Sequence, residues 1–166
     1  MIHVGPLSAA ADLHLRHRPS HVVSLLSPGD DSAPQFGSDI RLLPLRFHDI
    51  VEDGPDLIAP DAAAIEALIG FARSWAADAP MLVHCWAGIS RSSAAAYIVA
   101  CEKRPRQEQA IAAELRQRAP FATPNRLMVA IADDMLGTTG RMVDAIAAIG
   151  RGAEAFAGTP YVLKGR

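Results

Sequence analysis

Two cysteines are all this chain has, and that scarcity is the first constraint on what it is. Cys85 and Cys101 are too few for the disulfide framework of a small secreted domain, and they suit a reducing compartment. Charge of either sign is not in excess. The net charge of −2 gives no electrostatic reason to expect nucleic acid or an acidic membrane surface as a partner. No apolar run approaches the ~20 residues that span a bilayer. The first residues, MIHVGPLSAAADLH, lack a charged leader followed by a long apolar stretch. A cytoplasmic location is therefore expected. His3, His14, His17, His21 and His48 lack metal-ligand spacing with cysteine or with one another, so neither a metal nor a cofactor is expected.

What is present is a chain that can build a core: 166 residues, half of them apolar and 20% charged. That length predicts one domain, with its core over about 1–150 and a glycine-rich tail over 151–166. Ile2 to Val4 reads as a short strand closed by Gly5-Pro6, and Asp12 to Arg18 as a helix ending before Pro19. HVVSLL (His21 to Leu26) is nearly continuous apolar, as in a parallel strand covered on both faces. SPGDDSAPQFGSD reads as a surface loop. In RLLPLRF, Leu43, Leu45 and Phe47 alternate with polar or imino residues, and Pro44 favours a sheet edge. HDIVEDGPDLIAP is an acidic loop with a candidate catalytic acid in it.

Pro60 to Ala77 is the clearest helix, with Ile65, Leu68, Ile69, Ala72 and Trp75 at helical spacing and Pro60 suited to the first turn. Met81 to Val83 is a short buried strand, and SSAAAYIVACEK a helix. Ile111 with Leu115, then Leu127, Ile131 and Met135, then Met142, Ile146 and Ile149 mark three more helices. Asp133 and Asp134 read as an exposed helix face, and YVL in the tail as an edge strand or a surface segment. The expected fold class is α/β, a single domain with a mostly parallel central sheet flanked by helices. In such sheets the sites lie at the carboxyl ends of strands.

HCWAGISRS, His84 to Ser92, occupies that place. A strand, a tight loop and a helix N-terminus form an anion site, because the first backbone N–H groups of a helix have no intrahelical partners. Ala87 and Gly88 are small enough to let the loop amides converge. Arg91 adds two parallel donors for a tetrahedral oxyanion. The same field stabilises a thiolate at Cys85, since thiols of pKa ~8.5 fall to about 3.5–7.5 in such surroundings. That chemistry suits attack on phosphorus through a phosphocysteine intermediate. Ser92 is placed to donate to the departing thiolate, and His84 to hold the loop by hydrogen bonding. Trp86 and Ile89 flank the nest as an apolar rim for an aromatic ring. Cys101, further along the helix, reads as a packing residue.

H-C-x5-R-S resembles the signature of the cysteine-dependent protein tyrosine phosphatases, and HCWAGISRS is especially similar to their dual-specificity branch. HVGPLSAA and HVVSLL resemble the family's first strands, PDAAAIEALIGFARSWA the helix before its active-site strand, and PNRLM its Pro-Asn segment. The likeness spans roughly residues 1–136, with the nine-residue motif its specific part. It implies a two-step phosphoester hydrolysis without metal, with Cys85 as nucleophile. Trp86, Ala87, Gly88, Ile89, Ser90 and Arg91 would bind the phosphate, and Asn125 would support the loop, a role compatible with capping a helix.

The resemblance also implies an aspartate acid on a loop before the cysteine, and Asp49, Asp53 and Asp56 are the candidates. Asp49 directly follows the strand ending at Phe47; its longer spacing to Cys85 keeps Asp53 open. The expected substrate is a phosphorylated protein or small phosphomonoester, bearing phosphotyrosine or also phosphoserine and phosphothreonine. The loop adds no charge beyond Arg91, which speaks against polyphosphorylated lipids and RNA 5′-phosphates. The alternatives are a phosphate- or phosphoprotein-binding module without turnover and, behind it, a sulfurtransferase. Oligomeric state is left open.

Overall fold

The apolar runs become strands and the alanine-rich or periodic segments become helices. In the computed structural model, which describes residues 1–52 and 54–166, the first elements are β1 (Ile2–Pro6), α1 (Leu7–His17), β2 (His21–Leu26), β3 (Arg41–Arg46) and α2 (Ala62–Ser74). Then come β4 (Met81–Cys85), α3 (Arg91–Lys103), α4 (Glu108–Arg118), α5 (Arg126–Met135), α6 (Arg141–Ile149) and β5 (Tyr161–Leu163). The sheet order is β3-β2-β4-β1-β5, parallel throughout except for the antiparallel β1–β5 pair. Asp53 lies outside the described residues.

Alternation along the strands sends side chains into two unequal layers. Val4, Val23, Leu25 and Val83 face the large core shared with α2 to α6, whereas Val22 and Leu82 meet Leu13 of α1, closed over by Phe36 and Ile40. β2 and β4 are buried along their whole length, as interior parallel strands should be. β3 lies at the edge, where Pro44 and an alternating pattern are tolerated. α3 is buried from Arg91 through Cys101, and its alanines at 94–96 and 100 let it sit close beneath the sheet. Its core position holds both ends of the motif in register with β4.

Three boundaries or exposures differ from the sequence reading, and the tail's YVL settles as one of its two options. α1 begins at Leu7 rather than Asp12, because LSAAA is itself a good helix former. It ends with Arg18 left-handed at φ 46°, its N–H donating to His14 O. α2 begins after Pro60: the Asp61 carboxylate accepts from Ala64 N–H at 2.8 Å, a cap worth about 1 kcal/mol. Asp133 is not on an exposed face but buried, accepting from Thr138 Oγ1 and Gly140 N–H at 2.6 Å each and from Met142 N–H at 2.9 Å. Burial opposes its ionisation, yet these donors outweigh that and hold the carboxyl below its ordinary range. YVL is an edge strand, β5, with Tyr161 and Leu163 buried. No helix among the described residues is long and apolar enough to cross a membrane.

Two histidines couple this packing to pH. His3 stacks on His17 with ring centroids 3.8 Å apart, and burial, then the His17 and N-terminal charges, lower its pKa to about 4. His84 is fully buried, and burial followed by the Arg46 charge lowers it to about 4 as well. Both groups bind protons in the unfolded chain near pH 6.5 but in the folded chain only near pH 4. Their contribution is therefore complete above pH 6.5 and is lost as pH falls toward 4. The urea midpoint should drop between pH 7 and pH 5, and the drop should shrink in His84→Leu. A midpoint flat over that range would contradict both assignments.

Candidate active site

β4 ends at Cys85 and α3 begins at Arg91, so five residues must reverse the chain between a sheet and a helix N-terminus. Their carbonyls turn outward, and four of them meet an amide from another part of the fold, Ser90 O in addition to the Ala94 N–H of its own helix at 2.9 Å. Leu7 N–H donates to Trp86 O at 3.1 Å, Gly158 to Ala87 O at 2.8 Å, Thr123 to Ile89 O at 3.1 Å and Asn125 to Ser90 O at 3.4 Å. With the carbonyls held outside, the loop amides face the interior of the turn. Gly88 N–H points at Cys85 Sγ, 3.2 Å away. Gly88 itself has φ +72°, and a Cβ there would lie 2.6 Å from Pro6 N, so only glycine fits between the loop and β1. Ser90 starts α3 without a side-chain cap, which leaves the helix's first N–H groups to an incoming anion.

Cys85 Sγ also lies 3.1 Å from Ser92 Oγ, and both residues are buried. Arg91, 6% exposed, donates through Nη1 to Phe47 O at 2.8 Å and to Ser27 Oγ at 3.5 Å. Its buried Nε has no partner among the described residues. The guanidinium is thus held from behind by β3's exit, with donors left over. Cys85, Arg91 and Ser27, with Asp30, Asp49, Trp86 and Ala87, line a cleft of about 470 Å³.

Asp49 is fixed on the side of this cleft. Its Oδ1 accepts from Ser90 Oγ at 2.7 Å and from Asn125 Nδ2 at 2.9 Å. Asn125 meanwhile caps α5 through Met128 N–H at 3.1 Å and donates to Ile50 O at 3.1 Å, so one side chain ties the helix start to the acidic loop. Both bonds engage Oδ1, leaving Oδ2 clear of them. Of the other sequence candidates, Asp56 is not among the residues lining the cleft.

Several expectations change. His84 does not hold the loop by hydrogen bonds: neither ring nitrogen has a partner among the described residues, and burial keeps the imidazole neutral. Ile89 does not share the cleft with Trp86 but lines an adjoining recess of about 560 Å³ with Phe121 and Phe156. The second aromatic group at the rim is Phe156 from the tail, 86% exposed, edge-on to the half-exposed Trp86 at 5.7 Å. Ser27 and Asp30 lie in the segment that reads in sequence as a plain surface loop. They directly follow β2, and the rule that placed Cys85, sites at strand carboxyl ends, would have found them. Hydrogen bonds from the Ser32 hydroxyl and amide hold the Asp30 carboxyl below the usual range. Asp30 is thus an anion, ill suited to give up a proton. Phe156 carried no signal, since a lone aromatic in a glycine-rich tail has no periodicity.

No family model matches the sequence, and no curated protein matches it either. Solved structures do resemble it. The human tyrosine phosphatase-like serine/threonine/tyrosine-interacting protein has a TM-score of 0.65 at 21% identity, over 82% of this chain and 91% of that one. DUSP15 gives 0.60 at 19%, over 89% of each chain. PTPMT1 in complex with PI(5)P gives 0.60 at 16%, over 89% of this chain and 94% of that one. The chain has the fold of the dual-specificity branch of the cysteine-dependent phosphatases.

Gly88→Ala should weaken vanadate binding more than tenfold while leaving the helical circular dichroism intact, because the clash falls between the loop and the end of β1, outside every helix. Unchanged vanadate affinity would mean that the amides do not bind the anion. The two thiols should also separate. Burial pushes the Cys101 thiol up to about 12, so iodoacetate should label Cys85 first and phosphate should slow that reaction. Equal labelling of both, read by mass spectrometry, would count against an activated Cys85.

Proposed function

We propose that the protein is a phosphatase that hydrolyses phosphotyrosine through a phosphocysteine intermediate. The observation that carries this reading is the meeting, in one cleft, of Cys85 under the inward amides, Arg91 beside it and Asp49 on the opposite chain segment. An anion site alone needs no thiol; a thiol with a positioned carboxylic acid is a nucleophile with a proton donor.

In the first step the Cys85 thiolate attacks phosphorus and the bond from phosphorus to the ester oxygen breaks. Its electron pair goes to the leaving oxygen, which takes the proton from Asp49 Oδ2. Charge on the equatorial phosphoryl oxygens is met by the loop amides and Arg91, donors fixed before substrate arrives. In the second step the Asp49 carboxylate removes a proton from water as it attacks phosphorus. The sulfur–phosphorus bond breaks, phosphate is released, and Ser92 donates a hydrogen bond to the departing thiolate, 3.1 Å away. The thiol supplies the nucleophile, so the mechanism calls for no metal. The Trp86–Phe156 rim favours an aryl ring over a bare alkyl phosphate.

A second reading is a phosphoprotein-binding module, favoured by the likeness to a protein described as phosphatase-like and interacting. Turnover separates the two. Cys85→Ser should abolish hydrolysis yet keep vanadate binding, and a chelator should leave the unsubstituted protein active. Asp49→Ala should cost on the order of 10²–10⁴ in kcat on phosphotyrosine but much less on 4-nitrophenyl phosphate, whose leaving group needs little protonation. If Asp53→Ala shows that pattern instead, the acid is Asp53. Absence of turnover on every aryl phosphate would leave the binding module.

A further inference from the structure

Beyond Asp49 the cleft continues into a recess of about 420 Å³ bordered by Ser90, Thr123, Asn125, Arg126 and Arg151. The two arginines come from distant parts of the chain, and the backbone at each is independently anchored. Arg126 is the first residue of α5, directly after the Asn125 cap that also binds Asp49. Arg151 follows Gly150, which ends α6 at φ +65°, and precedes Gly152, whose N–H donates to Thr123 Oγ1 at 3.1 Å. A Cβ on Gly152 would lie 2.4 Å from the Phe121 backbone, so the tail is pressed against the α4–α5 connection at this point. The tail is fastened again where Ala153 N–H donates to Pro120 O at 2.9 Å and Gly158 N–H to Ala87 O at 2.8 Å.

Two arginines thus border a recess at which Asp49, the one acidic residue among its described lining, is already engaged by Ser90 and Asn125. Neither arginine forms an ion pair among the described residues; Glu154, on the adjoining recess, is not paired with Arg151. Among the described lining residues the arginines outnumber the carboxylate two to one, in a chain whose net charge is −2. The recess shares Asp49 with the nucleophile cleft. Successive residues of an extended peptide advance about 3.3–3.6 Å each, so a phosphoresidue in the cleft brings its neighbours to the recess.

We propose that Arg126 and Arg151 form a second anion subsite that takes an acidic side chain next to the phosphorylated residue of a peptide substrate. The proposal rests on the phosphatase reading for its substrate, but not for its binding.

The test uses three phosphotyrosine peptides that differ only in the flanking residues, Asp, Ala or Lys, titrated calorimetrically into the full-length Cys85→Ser protein. The Asp peptide should bind about tenfold more tightly than the Lys peptide at low ionic strength, and the ratio should shrink as salt is added. In a protein that also carries Arg126→Ala and Arg151→Ala the ratio should approach one, and Arg151→Glu should invert it. Equal affinity for all three peptides, or a preference that survives the double arginine substitution, overturns the subsite. Turnover of the same peptides by the unsubstituted protein keeps the two readings apart. A binding preference without hydrolysis sustains the subsite and sinks the phosphatase; hydrolysis without preference does the reverse.

Discussion

Everything at this site depends on where four carbonyl groups point. A five-residue reversal between a strand and a helix could expose its amides or its carbonyls to an incoming anion, and only the first attracts one. Here Trp86, Ala87, Ile89 and Ser90 have their carbonyls drawn outward by amides of Leu7, Gly158, Thr123 and Asn125. Each such bond nets about 0.5–1.5 kcal/mol. Their larger effect is geometric, because amides already turned inward need no reorganisation when charge develops on a phosphoryl group. The anion site is therefore built by the whole chain: the start of α1, the connection before α5 and the tail all hold it open.

That dependence explains the shape of the core around it. The loop can be held at both ends only if β4 and α3 cannot shift, and both are buried throughout their contact with the motif. Small side chains on α3 permit this close approach, and Tyr97 spans from it to the carbonyls of Glu108 and Met142 at 3.3 Å each. Polar side chains then serve two elements at once. Asn125 caps α5 and holds Asp49; Ser90 begins α3 and donates to the same carboxylate. Such double use means that loss of one side chain disturbs a helix end and a candidate acid together.

The sheet was legible because burial leaves a periodic trace. The continuous run His21 to Leu26 and the alternation around Leu43, Leu45 and Phe47 reflect an interior and an edge strand, and the order β3-β2-β4 follows that difference. Cys85 and Arg91 were legible because their spacing spans one loop. Asp133 was misread because a helix-terminal carboxylate followed by a glycine-rich turn looks the same in sequence whether it faces water or caps the next helix. His84 was misread for a similar reason: residue type suggests hydrogen bonding, whereas burial and the Arg46 charge decide that it stays neutral. Phe156 and Arg151 left no trace at all. They reach the site through long-range closure of the tail, which no local pattern encodes.

The tail touches both the anion loop and the recess beside it. Residues 151–158 look like linker by composition, yet β5 anchors their far end to β1 and Gly158 ties them to Ala87. Glycine is needed at two of these positions for space rather than flexibility, since a Cβ at Gly152 or Gly158 would lie 2.4 Å from Phe121. A segment held this tightly, yet presenting an exposed phenyl and an exposed guanidinium, does not use those side chains to stabilise the fold. Burying a Phe is worth about 1.5–3 kcal/mol, and Phe156 forgoes most of it. The strap rigidly supports side chains that lie next to the cleft, and the ordering it imposes is spent in advance of any substrate.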